Sequence, residues 1–523
     1  MKDPIDALTP KLVEEKDSRA DFVYGSLAGD DSHAVIAAHE ALANGGSAAD
    51  AAVAMYFTLA VTQPATAGLG GGGVCLVHNP LAGAVEVLDF IPPPATGEGK
   101  LKVAVPGNVR GMAALHARFG RLGWSQLVRV AEDMARDGVP MSRSLNARLE
   151  AHAGRLYGDR DVQAIFADPN GLTLAPPTRV QQLELGALLG QIRARGAGDF
   201  YTGPLAHTIA QSVQAEGGNL RVEDLRNFLP QWRAPVSVPM GGMLVSVPPP
   251  PAALGLVEAQ TWQMLSVDNR YAQASAAERP HLLVETVKRA LVDRTGWLAP
   301  DSSSRQDSAT LLSDRYVRGL MTGYQSGRAT AVAPPAGTLP AAGADASGFV
   351  IVDGQGVGVA CTVSLFNDFG TGRMAQRTGF FLAPPPGYAA NSVYGMAPLM
   401  VTEPATRRFR YAATGGGGSE AASAAVQTTL ATLVDGLPLR DAIAQPRVHH
   451  PGWPDQAVVE RSLPDAARNA LASRGHALVA VPAIGRVNAV DCPTGIPNGR
   501  EPRCISAPDP RGEGLGLNLE ASE

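Results

Sequence analysis

One stretch in the second half of the chain constrains the fold most, because a loose segment there runs directly into strand-forming sequence. Residues 329–344 are rich in Ala, Pro and Gly and lack apolar periodicity, which is typical of a flexible linker. Two β-rich runs follow, Asp345–Asp353 and Gly356–Ser364, and the turn from Asp353 to Gly356 predicts a hairpin. A mid-chain linker that leads into a core strand is unusual. It has a purpose if the chain cuts itself there and uses the new amino terminus as a nucleophile.

Composition narrows the classes of partner. The 523 residues are 45% hydrophobic and 18% charged, which is ordinary for a globular protein. A net charge of −5 and a pI near 6.1 argue against a basic surface for nucleic acid or anionic membranes. The longest apolar run, Ala51–Val61, is too short to span a bilayer, and Met1–Asp21 lacks the apolar core of a secretory signal. We therefore predict a cytoplasmic protein with no nucleic-acid or membrane partner.

The four cysteines do not form an evident disulfide framework. Cys75 and Cys361 lie in apolar strand contexts and are predicted to be buried thiols. Cys492 and Cys504 flank a Pro/Gly-rich loop and could face each other across a hairpin. Two free thiols are the favoured interpretation of that pair, because no export signal is visible. A zinc site would need further ligands nearby, so no metal is predicted.

Local patterns outline the rest of the fold. An Ala-rich helix over Ala37–Leu59 is predicted to stop and restart at Asn44-Gly45-Gly46. Residues from about 140 to 340 have mainly helical spacing, except for a predicted hairpin over Val236–Val247. The glycine run Gly68–Gly73 precedes a strand rather than a helix, which favours a tight backbone crossing over a dinucleotide loop. Residues 512–523 are expected to be loose.

Two further motifs could carry chemistry. The run Gly415–Gly418 precedes a predicted helix, where backbone N–H groups could hold an anion or a developing oxyanion. A helix cap in a tight strand-to-helix turn is an equally good interpretation. His449 and His450 are adjacent, and adjacent side chains on a strand face opposite sides. They are predicted to be structural rather than metal ligands.

Several motifs occur in a fixed order along nearly the whole chain, from Ser32 to Arg511. They are Gly45–Ala52, Gly68–Gly73, Val105–Gly111, Asp224-Leu225, Trp232–Pro235, Pro248–Pro251, Phe369–Gly372, Gly417–Ser419, Pro446–His450 and Ser506–Arg511. Together they resemble the γ-glutamyltranspeptidase (γ-glutamyltransferase) family. The number and order of the motifs carry this resemblance, since none of them is specific alone.

The resemblance implies an α/β (α+β) protein, a four-layer αββα sandwich of the N-terminal-nucleophile (Ntn) hydrolase type. In that family the precursor cuts itself into two subunits, and a new amino-terminal Thr attacks γ-glutamyl amides with its own α-amine as base. No cofactor is implied. The corresponding regions here would be a lead-in (1–31), a large-subunit-like region (32–328), a linker (329–345), a small-subunit-like region (346–511) and a loose tail (512–523), all in one integrated domain.

This sequence departs from the family where the resemblance matters most. Ala346 falls on the position of the nucleophilic Thr, and Ser347 on the residue after it. Ser364 keeps the assisting hydroxyl of the next strand, and Gly417 and Gly418 keep the oxyanion glycines.

The residues that would bind the γ-glutamyl group are also replaced. Ile91 stands where the family has the Arg for the substrate carboxylate, and Phe366 replaces an Asn. Tyr388 and Tyr394 lie in the two segments that would otherwise grip the γ-glutamyl head. A zwitterionic head would find no paired charges in such a pocket, and each lost charged hydrogen bond costs about 1.5–3 kcal/mol. We expect a pocket suited to a less polar acyl group.

Two hypotheses follow. In the first, the chain is an Ntn amide hydrolase or acyltransferase in which Ser347 is the nucleophile, acting on a small-molecule amide or peptide. The difficulty is that a one-residue shift turns a strand side chain to the opposite face. In the second, the chain stays uncut and inactive and serves as a binding or partner subunit, as a homo-oligomer or beside a paralogue.

Overall fold

The computed structural model describes residues 25–334, 345–387, 395–496 and 504–519. The helices are α1 (Ser32–Ala43), α2 (Ala48–Thr62), α3 (Asn108–Phe119), α4 (Trp124–Asp137), α5 (Arg143–Leu156), α6 (Arg160–Phe166), α7 (Leu183–Arg195), α8 (Ala197–Thr202), α9 (Pro204–Ala215), α10 (Val222–Asn227), α11 (Ala253–Ser266), α12 (Arg270–Gln273), α13 (Arg279–Trp297), α14 (Ser308–Leu311), α15 (Asp314–Leu320), α16 (Glu420–Leu433), α17 (Leu439–Ala444) and α18 (Asp465–Ser473).

The strands are β1 (Gly25–Gly29), β2 (Gly72–Asn79), β3 (Ala84–Asp89), β4 (Val139–Pro140), β5 (Arg179–Val180), β6 (Gln231–Arg233), β7 (Val236–Met240), β8 (Met243–Val247), β9 (Ser347–Asp353), β10 (Gly358–Ser364), β11 (Ala397–Glu403), β12 (Arg408–Gly416), β13 (Val448–His449), β14 (Ala457–Glu460), β15 (Leu478–Val481), β16 (Arg486–Ile496), β17 (Ile505–Ala507) and β18 (Leu515–Leu519). Two large antiparallel sheets have the orders β18-β1-β9-β10-β2-β3-β6 and β17-β16-β12-β11-β8-β7.

These two sheets pack face to face, with helices outside each. On β9, Val350 and Val352 face the second sheet and share a buried cluster with its Met400. Phe349 and Ile351 point the other way, into a cluster formed with α1 and α2. A third cluster joins the far side of the second sheet to α11, α13 and α16. The predicted four-layer αββα sandwich is therefore confirmed.

Several local predictions are also confirmed. Helix α1 ends at Ala43, and α2 begins after Ser47, whose hydroxyl accepts from the Asp50 amide while Asp50 accepts from the Ser47 amide. The predicted hairpins are β9–β10 and β7–β8. The glycine run is a tight crossing, since a Cβ on Gly71 would lie 2.1 Å from the carbonyl oxygen of Ser364.

The expectation of a loose tail is wrong for its described part. Leu515–Leu519 form an edge strand paired antiparallel with Gly25–Gly29. Leu515, Leu517 and Leu519 alternate along it and pack on the outer helical layer. Strand β1 in turn lies within the predicted lead-in. Most of the predicted linker lies outside the described residues, and the subunit-like boundaries stay predictions.

The prediction that Cys75 and Cys361 are free thiols is wrong. They are directly opposite each other on β2 and β10, with Cα atoms 4.1 Å apart, and form a disulfide. Cys492 and Cys504 form a second disulfide, so the favoured interpretation of two free thiols is wrong there as well. Among the described residues, no helix combines the length and apolar character needed to cross a bilayer.

Candidate active site

The junction between linker and β9 is tied to the neighbouring strand through the backbone of Asp345. The Ser364 hydroxyl donates to the Asp345 carbonyl oxygen at 3.0 Å, and accepts from the Phe366 amide at 2.9 Å. That carbonyl belongs to the peptide bond that precedes Ala346. Ser364 therefore contacts the bond that the family would cut, although Ala346 supplies no hydroxyl to attack it.

The Asp345 carboxylate is held from several sides. It accepts from the amides of Gly417 at 2.7 Å and Ala346 at 2.8 Å, and from Nη2 of Arg486 at 2.7 Å. Arg148 also donates to it. Burial alone would raise the pKa of Asp345, but the charges of Arg486 and Arg148 outweigh burial and hold that pKa well below its usual range. The group is a carboxylate at any physiological pH, with charge-assisted partners.

Gly417 and Gly418 combine the two roles that the sequence left open. Both have positive φ, +108° and +64°, and Ala421 in the first turn of α16 donates to the Gly418 carbonyl at 3.2 Å. A Cβ on Gly417 would lie 2.9 Å from Gly485, so glycine is required there. The turn thus starts a helix, and the Gly417 N–H binds an anion supplied by the chain itself.

Ser347 lies on the face of β9 that points away from the second sheet. Its hydroxyl shares a 2.6 Å hydrogen bond with Thr66, and the side chain is buried. Side chains alternate along a strand, so Ser347 shares its face with Phe349, towards α2. Ser364 lies on the face that carries Ala360, which is in the cluster between the sheets. The structure therefore does not bring Ser347 together with Ser364 and Gly417.

The predicted pocket residues fall into one apolar region where they are described. Phe366 is fully buried in the inter-sheet cluster, with φ +61°, and Ile91 is half-buried against the same cluster. No charged partner for a γ-glutamyl carboxylate stands at either position. Tyr388 and Tyr394 lie outside the described residues.

Sequence reasoning missed Arg148 and Arg486. They lie 197 and 141 residues from Asp345 along the chain, and no local motif marks either of them. Arg486 begins β16 and Arg148 lies in α5, so only the tertiary fold places them at the junction. Asp345 begins the β-rich run Asp345–Asp353, but a carboxylate before a strand does not by itself indicate a functional site.

The histidines on and around α13 and β13 are engaged in hydrogen bonds. His449 Nδ1 lies 2.7 Å from the Ser423 hydroxyl. His281, Glu285 and His476 are near enough to share an ion. However, His281 and His476 contact each other directly at 2.7 Å, and Glu285 accepts from Lys288 at 2.5 Å. A metal ion bound there would have to break the His281–His476 and Lys288–Glu285 hydrogen bonds and would lie next to the Lys288 ammonium group.

Comparisons with known proteins decide the family. The family profile described as gamma-glutamyltranspeptidase matches residues 34–384 and 391–518, most of the chain. The chain belongs to the γ-glutamyltranspeptidase family. The resemblance carried by the ordered motifs is thereby confirmed, and the fold and family are those of hydrolases and transferases that act on amides.

Relatives within the family differ in their named activities. The chain is 29% identical over 495 residues to the acylase ACY 1 proenzyme of Pseudomonas sp. (strain SE83), covering 85% of this chain and 86% of the relative. It is 25% identical over 513 residues to the glutathione hydrolase proenzyme of Escherichia coli (strain K12), covering 89% and 88%. The cephalosporin acylase of Bacillus halodurans superposes with a TM-score of 0.80 at 23% identity and 99% coverage of both chains, which supports the fold.

Proposed function

We propose that this family member stays a single uncut chain and binds a ligand instead of transferring γ-glutamyl groups. The observation that supports it most is the Asp345 carboxylate on the Gly417 N–H, next to a residue, Ala346, that has no nucleophile. The chain's own carboxylate thus occupies the donor that an acyl-transfer reaction would need for its oxyanion.

Displacing that carboxylate would be costly. A hydrogen bond to a charged group contributes about 1.5–3 kcal/mol, and Asp345 would lose its contacts to Gly417, Arg148 and Arg486 together. Ile91 and Phe366, at the positions where the family would bind the substrate head, are apolar and offer nothing to a zwitterion. Both features disfavour γ-glutamyl transfer.

A second candidate is an amide hydrolase that cuts itself before Ser347. Two observations favour it: Ser347 borders a cavity, and one relative is named an acylase. In addition, Nη2 of Arg486 donates to the Ala346 carbonyl at 3.4 Å, where it could stabilise an oxyanion. A processed chain would carry amine and hydroxyl together on Ser347.

The mass of the protein after long incubation separates the two candidates. We expect one chain of 54.3 kDa under denaturing, reducing conditions, and amino-terminal sequencing that finds no internal start. Ser347→Ala should behave identically. A fragment beginning at Ser347 in the wild type, absent from Ser347→Ala, would instead support the hydrolase and overturn the uncut-chain proposal.

A further inference from the structure

A cavity of about 380 Å³ opens over Ser347, on the face of β9 away from Ser364. We call it the Ser347 cavity. Its wall carries four guanidinium groups, of Arg143, Arg148, Arg486 and Arg511. We propose that the Ser347 cavity binds a small organic carboxylate that carries an apolar extension.

Charge is the first argument. The four arginines face only two carboxylates in the lining, those of Asp30 and Glu513. Behind the lining, Arg148 and Arg486 bind Asp345 and Arg511 binds Glu460 and Asp509, so the attraction for an anion comes from the donors that face the cavity and not from a net positive charge. An anion that enters the cavity meets more guanidinium than carboxylate groups in the lining, which favours it over a cation.

Three of the arginines also keep donors in reserve, whereas Arg511 uses all its nitrogens for Glu460, Asp509 and two backbone carbonyls. Arg143 uses Nε for Glu513, and Arg148 uses Nη1 and Nη2 for Asp368 and Asp345. Arg486 binds Asp345 through Nη2, while its Nε lies 3.9 Å from Asp30. Asp345 shows that this group of arginines accommodates a carboxylate, and the guanidinium fork matches that geometry.

The floor of the cavity is polar but uncharged. Ser347 and Thr66 share one hydrogen bond at 2.6 Å, so one of the two hydroxyl protons is left to donate elsewhere. The Gln63 side chain, only 6% exposed, lines the same cavity and makes no hydrogen bond to any residue the structure describes. Both groups could pair with a bound carboxylate or with water.

A second cavity of the same volume adjoins the first and shares Arg143 and Glu513 with it. Its lining includes apolar side chains, namely Val61, Val139, Met141, Leu145 and Val180. A carboxylate held at the arginines could extend a short apolar chain in that direction. Inorganic phosphate fits less well, because it has no apolar part to place against the side chains of the second cavity.

The test titrates hexanoate into the uncut protein by ligand-observed NMR, beside hexan-1-ol, hexylammonium and inorganic phosphate. We expect hexanoate to bind and each of the other three to bind at least about tenfold more weakly, because a charged hydrogen bond is worth that much. Saturable binding of hexan-1-ol or phosphate at the same affinity, or no binding of hexanoate, would overturn the proposal.

Two variants and one control variant locate the binding. Arg143→Ser removes an 86% exposed side chain and should weaken hexanoate binding about tenfold, whereas Arg129→Ser, at an exposed i,i+4 pair elsewhere, should leave it unchanged. Thr66→Val, which keeps the shape but not the hydroxyl, should also weaken it. Equal affinity in Arg143→Ser and Arg129→Ser would contradict the assignment. The proposal supplies a ligand class for the proposed binding function, and its failure would leave the mass result on processing unaffected.

Discussion

On Ala346, a methyl group stands where the family carries its nucleophilic hydroxyl, and the surroundings of that methyl group are only partly degraded. Ser364 still donates to the Asp345 carbonyl, and Gly417 still presents an N–H at the junction. The replacement at Ala346 could be found from the sequence, because the motifs on both sides fix the alignment. The clamp on Asp345 could not, because Arg148 and Arg486 reach it only through the fold.

Restoring the hydroxyl tests how much of the old chemistry survives. We expect Ala346→Thr to cut itself slowly before residue 346, because the introduced oxygen would lie next to a carbonyl that Ser364 already polarises. The measurement is the appearance of two fragments on a reducing, denaturing gel over days. Ala346→Val, similar in shape but without the hydroxyl, should stay whole. Cutting of neither variant would show that the junction no longer supports the reaction, and cutting of both would show that the introduced hydroxyl is not the nucleophile.

At the scale of elements, strands and hairpins were predictable and their cross-strand partners were not. Their β-rich composition identified β9 and β10, and the glycine-rich turn identified the hairpin between them. The register of β2 against β10 has no local signal, so the pairing of Cys75 with Cys361 was missed. The same holds for β18, whose partner β1 is almost 500 residues away along the chain. The cytoplasmic location stays a prediction, and the two disulfides weigh against it, since disulfides persist mainly in oxidising compartments.

The disulfides make a direct prediction. Iodoacetamide should label no cysteine in the unreduced, unfolded protein and all four after reduction. The double variant Cys75→Ala/Cys361→Ala should lose about 2–4 kcal/mol of unfolding free energy in urea. Cys492→Ala/Cys504→Ala removes a disulfide that closes a loop with a separation of only 12 residues, so this variant should lose less unfolding free energy. Labelling without reductant would show that the thiols are free.

At the scale of the whole molecule, buried histidines set the response to acid. Burial is the main cause that lowers the pKa of His449 to about 3 and those of His450 and His476 to about 4, and nearby positive groups such as Lys288 contribute to the lowering of the last two. An unfolded chain restores the ordinary value near 6.5. At these three histidines the folded state therefore binds fewer protons than the unfolded state between about pH 6.5 and 4.

The contribution of these histidines to stability should consequently be full above pH 6.5 and fall as the pH drops towards 4. Each such histidine contributes up to about 1.4 kcal/mol per pH unit in that window. Urea unfolding at several pH values measures the slope. His476→Asn removes one titrating group and should make the slope shallower. An unchanged slope in that variant, with folding intact, would mean that His476 does not titrate as its burial indicates.

The Cys75–Cys361 disulfide also closes a covalent ring, and the junction at Asp345–Ser347 lies inside it. A cut at that junction would open the ring and leave two chains joined by the disulfide, so neither piece would be released. The unreduced protein would then gain only the mass of one water and would keep its size in native chromatography. The interleaved order of the first sheet, in which β1 lies between β18 and β9, would hold the two segments together even after reduction. A processed form of this protein would therefore be invisible to any assay of molecular size that leaves the sulfur bridge and the sheet intact.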